Sequence, residues 1–445
     1  LSTYHPPFPS REGLDGVCLF LNKTAIPKFS TCFVSVQKKL LIMNVLKILS
    51  AVFVVFFGGL MLLNFPSCTH DNQNLNEFIP PEPVQNFSES ELVSRHVTTP
   101  PTVDGVIDNL WNESKKLITR TEVPDPGDDR FKGYVGDAYD VTFRSVYDDE
   151  NIYFLAEWND QNKDLNRDTW YFDPGSKRWK EESNKPVFNE QGNMIRKAFY
   201  EDKLAMLWNV NNSVEGWNNA TCYTSCHTDL GADMGFARHF TNGPNETIDM
   251  WHWKSVRSDP NNQFDDQFQD NKQPNGRHGD TKDGGGYTNN AQELTITGTN
   301  ETVEVPKYFI PERTYYYWVL QDEIENGTAK LITAVDENGV LTYDGGTLDP
   351  NTDVAFQREG STTGAKCIPS VFTEAFIGNR GDITGKGVYT GSGWIVEYKR
   401  KLKTGDTENQ DVDFSDLTEK YFGIGIFNNA AIAHSIKPNL LLKFE

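Results

Sequence analysis

From Pro100 onward the chain is patterned mostly at a period of two, the spacing at which alternate side chains share one face of a strand. Asp140-Val-Thr-Phe-Arg-Ser-Val-Tyr147 and Ile152-Tyr-Phe-Leu-Ala-Glu-Trp158 are rich in β-branched and aromatic residues and flank the polar Asp148-Asp-Glu-Asn151, a hairpin signal. Further strand-like runs are Pro101–Trp111, Lys203–Val210, Tyr315–Leu320, Gly393–Lys399 and Tyr421–Phe427. No amphipathic helix longer than about ten residues emerges. The expectation is an all-β chain: one large β-sandwich over residues 94–445 with long loop insertions. Two stretches break the pattern, charged Asp160–Lys197 and the Asn-, Asp-, Gln- and Gly-rich Asn261–Asn300. Both read as surface loops, with His278 solvent-exposed in the second.

Upstream the pattern differs. Met43-Asn-Val-Leu-Lys47, an apolar run from Ile48 to Leu63 and Phe65-Pro-Ser-Cys68 have the parts of a secretory signal. Ser67-Cys68 fits a lipoprotein signal with Cys68 lipidated; an ordinary cleaved signal or an uncleaved anchor are the alternatives. Residues 1–42 read as translated sequence ahead of the start, 43–68 as the signal and 69–93 as a flexible, Pro-rich tether. All three signal readings place the remaining chain outside the cytoplasm, in the periplasm or on the outer membrane.

Composition adds exclusions. Asp and Glu number 63 against 42 Lys and Arg, a net charge of −21. That argues against nucleic acid and against anionic membrane surfaces, both of which need clustered positive charge. Because the first 68 residues carry more basic than acidic side chains, the exported part is more acidic still, suited to a cationic redox partner.

Of six cysteines, Cys18 and Cys32 precede the signal and Cys68 ends it, leaving Cys222, Cys226 and Cys367, the last with no assigned role. Cys222-Tyr-Thr-Ser-Cys226-His227 places two thiols near a His that directly follows the second. A c-type haem needs this set: two thiols to add across the vinyl groups and an imidazole to ligate the iron. The spacer is one residue longer than the common one. A local Cys222–Cys226 disulfide with an incidental His227 is the competing reading.

A second iron ligand would favour haem. In Asp249-Met-Trp-His-Trp-Lys254, strand geometry sends Met250, His252 and Lys254 to one face and Trp251 and Trp253 to the other, where the two Trp face a core or line the macrocycle. His252 is the first choice for distal ligand; Lys254, Met234 and Met250 are alternatives, with His239 a further candidate. His434 follows an apolar run and reads as a capping or surface residue, with approach to the site from the C-terminal end as the alternative. No nucleophile motif, metal-hydrolase signature or phosphate-binding loop is present, so no catalytic residue is assigned and the chain is not expected to be an enzyme.

Val103-Asp-Gly-Val-Ile-Asp-Asn-Leu-Trp111 with the Val146–Phe154 hairpin resembles the start of the sandwich shared by family 9 carbohydrate-binding modules and haem-binding relatives. Cys222–His227, Asp249–Lys254 and Gly393–Arg400 together resemble the haem-binding domain related to the ethylbenzene dehydrogenase γ subunit, over roughly Val93 to the C-terminus. The resemblance implies one haem that passes electrons to or from a molybdenum enzyme or a respiratory chain. The Cys motif places the chain with a c-type branch: one covalent haem c, with thioethers at Cys222 and Cys226 and His227 proximal. The alternative is a carbohydrate-binding module with Trp208, Trp217, Trp251 or Trp253 as its stacking platform and no haem.

Overall fold

The computed structural model describes residues 87–225, 239–314, 316–353, 356 and 366–445, all within the compact unit Glu82–Glu445. The expected signal with Cys68, most of the tether, Cys226, His227 and Met234 lie outside the described residues. The fold is all-β.

Thirteen strands form one sheet: β1 (Phe87–Ser88), β2 (Glu91–His96), β3 (Lys116–Glu122), β4 (Ala138–Tyr147), β5 (Asn151–Asn159), β6 (Lys203–Asn209), β7 (Ile248–Lys254), β8 (Asp265–Gln269), β9 (Arg277–Gly279), β10 (Thr384–Tyr389), β11 (Gly393–Lys401), β12 (Lys420–Phe427) and β13 (Ser435–Phe444). Their order is β9-β8-β7-β6-β12-β13-β2-β4-β5-β11-β10, with β3 beside β4 and touching β13, and β1 beside β3. Strand β2 is the seam, parallel to both β13 and β4, and about it the sheet folds into two facing layers. Rings meet across the fold: Phe154 of β5 lies 5.7 Å from Trp251 of β7, and Trp253 lies 5.9 Å from Trp158 and 5.0 Å from Trp394. This shared aromatic core makes the arrangement a sandwich.

The β4–β5 hairpin forms as the pattern requires, with Val146 opposite Tyr153 and Phe143 opposite Ala156. Its strands are apolar on both faces because both are covered. One faces the core, while Tyr153, Leu155 and Val146 pack under Trp111. The Pro101–Trp111 run is therefore a cover and contains no strand. Its chain turns at Gly105 (φ 82°), where a Cβ would stand 2.4 Å from Val388. Glu397 holds it in place, accepting from Trp111 Nε1 (3.0 Å) and the Gly105 amide (2.8 Å).

Ordered structure also starts earlier than Ser94. Strands β1 and β2 take up residues assigned to the tether, since Leu92 and Ser94 are buried in the seam. Of Tyr315–Leu320 only Val319–Leu320 is a strand among the described residues.

The two stretches read as loops are folded. Asp160–Lys197 contributes the hairpin Trp170–Asp173/Arg178–Glu181. Trp170, Phe172 and Trp179 join Ile296, Val305, Phe309, Ile332 and Leu341 in a second hydrophobic core. Asn261–Asn300 supplies β8 and β9 of the main sheet, and His278 sits on β9, half-buried, 5.2 Å from the Phe268 ring. Its polarity conceals strands because the inward side chains are carboxylates, Asp265 paired with Lys254 and Arg380 among them.

Candidate functional site

Strand β7 splits its side chains as alternation requires. Trp251 and Trp253 enter the main core and line no part of the cavity described next, which corrects the macrocycle-lining role open to them. Met250 and His252 emerge on the opposite face of the sheet. Register brings His252 beside Ala205 of β6, Ala205 beside Gly425 of β12, and Gly425 beside Ile436 of β13. This row of small residues floors a cavity of about 380 Å³, within the ~300–1,000 Å³ usual for small-molecule and cofactor sites. Leu207, Ile424, Phe427, Ile432 and Phe131 make its walls largely apolar; Cys222, His239, His252, His434, Arg130 and Arg277 supply its chemistry.

Cys222 is held there by its own segment. A helical turn, Trp217–Ala220, is anchored by Trp217 Nε1 on the Tyr421 carbonyl (2.8 Å), and Thr221 then bends at φ 38°, an uncommon conformation for a residue with a Cβ. Asn439 of β13 donates its amide to Thr221 Oγ1 (3.1 Å), and Ser225 Oγ donates to Gln269 Oε1 (2.9 Å), fixing the stretch on both sides. The buried thiol lies against Gly423, where a Cβ would come within 2.8 Å of Sγ. Gly425 plays the same part for His434, whose Cδ2 would be 3.1 Å from a Cβ.

The two histidines nearest this floor differ in polarity. Arg277 contacts His252 Nδ1 at 2.9 Å. A guanidinium can only donate, so Nδ1 accepts and the imidazole hydrogen sits on Nε2. Nε2 itself is buried without a hydrogen-bond partner. Burial, then Lys254 and Arg277, hold His252 well below the usual histidine range. His434 is the reverse: Nδ1 donates to the Ile432 carbonyl at 2.8 Å, so Nε2 carries the lone pair. Its ring stacks on Phe427 at 4.4 Å. Burial, aided by Lys203, pushes its pKa down to about 4, leaving it neutral at pH 7.

Met250 and His239 also line the cavity. Lys254 does not. Its buried ammonium pairs with Asp265 and donates to the Tyr287 hydroxyl (3.2 Å), so the strand face that joins it to His252 in sequence does not bring it to the cavity. The structure thus gathers Cys222, Met250 and His252, brings His434 in from the C-terminal end, and adds Arg277 and the two glycines, which sequence reasoning missed. A signal existed in Tyr421-Phe-Gly-Ile-Gly-Ile-Phe427: glycines at alternate positions of a strand mark a face that something approaches closely. The Trp residues proposed as a sugar platform are all buried, Trp208, Trp251 and Trp253 at 0% exposure and Trp217 at 1%. None can stack on an external ring.

Among the described residues no helix is long and apolar enough to cross a membrane. No curated protein matches the chain. Similar solved structures include a family 9 carbohydrate-binding module from Caldicellulosiruptor kristjanssonii, in complex with glucose and with cellotriose. Each complex is 10% identical and spans 80% of this chain, with 95% and 93% of the module covered and TM-scores of 0.25 and 0.24. The family model for ethylbenzene dehydrogenase matches residues 109–438, three quarters of the sequence, and the chain therefore belongs to the ethylbenzene dehydrogenase family.

Proposed function

We propose that the chain is an exported c-type cytochrome, carrying one covalent haem and exchanging electrons with a respiratory or molybdenum-enzyme partner. The observation that carries this reading is the Cys222 thiol on the wall of an apolar cavity that is also lined by His434, whose Nδ1 donates to the Ile432 carbonyl so that Nε2 carries the lone pair. Cys222 and Cys226 would hold the haem through thioethers to its two vinyl groups, and His227 would ligate its iron. Met250 and the aliphatic walls would exclude water, and Arg130, paired with Asp128, and Arg277, bonded to Gln267 and His252, would bring positive charge to the side of the two propionates.

The distal ligand is better assigned to His434 than to His252. An imidazole ligates metal through the nitrogen opposite its N–H, and that N–H is commonly held by a carbonyl. His434 meets the condition, whereas Arg277 imposes the wrong tautomer on His252. When bound, a haem closed by two protein ligands supplies a one-electron carrier with no open site for substrate. The acidic exported part, lipid-anchored at Cys68 in this reading, favours a cationic partner.

The test is expression of the chain with a c-type maturation system, followed by denaturation, haem staining and a pyridine haemochrome spectrum. The expected result is haem retained on the denatured polypeptide and a c-type spectrum, lost in Cys222→Ala with Cys226→Ala. Haem released on denaturation would remove the covalent assignment, and a native protein without haem would remove the cytochrome.

A further inference from the structure

Three aspartates converge inside the protein, Asp249, Asp266 and Asp411, and a fourth, Asp280, lies beside Asp411. Asp249 of β7 and Asp266 of β8 occupy core-facing positions on paired strands, each 0% exposed. Asp280 follows β9, its amide donating to the Asp266 carbonyl at 3.1 Å. Asp411 comes from the loop between β11 and β12, where Thr404 donates to its Oδ2. One oxygen each from Asp249, Asp266 and Asp411 lie within 4.8 Å of one another.

Hydrogen bonds do not satisfy the set. Asp249 Oδ1, Asp266 Oδ2, Asp411 Oδ1 and both oxygens of Asp280 are buried without a partner. Arg400 is the cation these carboxylates contact among the described residues, 2.8 Å from Asp249 Oδ2 but 3.9 Å from Asp266 Oδ2 and 3.7 Å from Asp411 Oδ1. Its guanidinium is further committed to the Val412 carbonyl and stacked over Trp251 at 4.7 Å. Asp382 adds a fifth carboxylate beside Asp266, and the cations near the group, Arg400 in contact with three of its members and Arg380 and Lys401 further out, are fewer than the carboxylates. Burying unpaired carboxylates costs several kcal/mol each, so such a group either holds protons or holds a cation.

We infer that Asp249, Asp266, Asp280 and Asp411 form a calcium site that pins β7, β8 and β9 to the loop before β12. The donors are all hard oxygens, which excludes a preference for soft metals. Calcium binds oxygens at ~2.3–2.6 Å, so two of its ligands lie at most ~5 Å apart, as the converging oxygens do. Calcium also takes carboxylates in either one- or two-oxygen mode, which suits Asp280 with both oxygens unpartnered. Magnesium, by contrast, demands near-octahedral geometry and usually binds through only one or two carboxylates, a poor match to a buried group of several. The inference is independent of the haem: none of the four aspartates lines the Cys222 cavity.

The experiment uses the purified full chain. Its calcium content is measured by atomic emission after dialysis, and its melting temperature before and after EGTA, with calcium or magnesium added back. One calcium per chain is expected, with a melting temperature that falls by several degrees on chelation and returns with calcium but not with equal magnesium. Asp266→Asn and Asp280→Asn should each weaken calcium binding about tenfold or more in titration calorimetry. If either variant fails to fold, the wild-type calcium content and its reversal by EGTA decide. Absence of bound calcium together with no melting shift in millimolar calcium would overturn the site. Equal recovery with magnesium, or unchanged calcium affinity in folded variants, would overturn the assignment equally.

Discussion

Two glycines on β12 set how closely side chains approach the cavity floor, and their effect is steric. At Gly423 a Cβ would press on the Cys222 thiol, and at Gly425 on the His434 ring. The histidines carry the more decisive difference, because hydrogen-bond polarity rather than proximity determines which can donate a lone pair. His434→Ala in the haem-loaded protein should convert a low-spin spectrum to high-spin and shift the reduction potential. His252→Ala should leave the spin state unchanged, since Nε2 of His252 carries a hydrogen. Optical and EPR spectra of the two variants distinguish the assignments, and a high-spin His252→Ala beside a low-spin His434→Ala would reverse them. The candidates Met250 and His252 were legible in the sequence because strand alternation alone puts them on one face. His434 was legible only as a residue able to approach from the C-terminal end, because its place depends on the β12–β13 register and on a carbonyl two residues away.

At the level of elements, the main sandwich followed the period-two pattern wherever one or both strand faces are apolar, as in β4, β5, β6, β11 and β12. Reading failed where polar residues are inside. Strand β8 has aspartate and glutamine at its buried positions, Asp265 among them paired with Lys254 and Arg380 far away in sequence, and β9 is half-buried throughout, so neither shows an apolar alternation. The Asp160–Lys197 stretch failed differently: its apolar residues are few and widely spaced, and they gain a core only through strands beyond residue 290. That core should carry its own share of stability. Trp170 is 1% exposed, and its Nε1 donates to the Asn290 carbonyl at 3.0 Å. Trp170→Ala removes both the packing and the bond, and a loss of ~3–5 kcal/mol is expected in urea unfolding. Haem attachment in the same variant should match wild type, because Trp170 lies outside the cavity lining. A loss below about 1 kcal/mol would mean that the second core contributes little to the native state.

For the molecule as a whole, an acidic chain that also buries carboxylates should have a stability that depends on pH in an unusual direction. Asp160 and Asp164 are raised to about 6, chiefly by burial and for Asp160 also by its neighbour Asp164. Asp202, buried beside both, is raised well above the usual range for the same reasons. A carboxyl whose folded pKa exceeds its unfolded value binds protons more tightly in the native state. Its stabilising contribution is complete below the unfolded value near ~3.9 and is lost as pH rises through about 6. The paired carboxylates, such as Asp265 against Lys254 and Arg380, run the other way, but their contribution is gained below the unfolded value near ~3.9 and is complete above it, so between pH 4 and 7 the raised carboxyls set the trend. Asp160→Asn isolates the opposing term. The amide oxygen can still accept from Asn428 and from the Asn162 amide, and the new NH₂ replaces an oxygen that has no partner. The variant should be more stable than wild type by on the order of 1–3 kcal/mol at pH 7. Its advantage should shrink towards zero at pH 4, where wild-type Asp160 is already protonated in the folded state. Urea midpoints at pH 4, 5.5 and 7 measure this directly, and an advantage that stays constant across the three would show that hydrogen bonding, not protonation, is responsible.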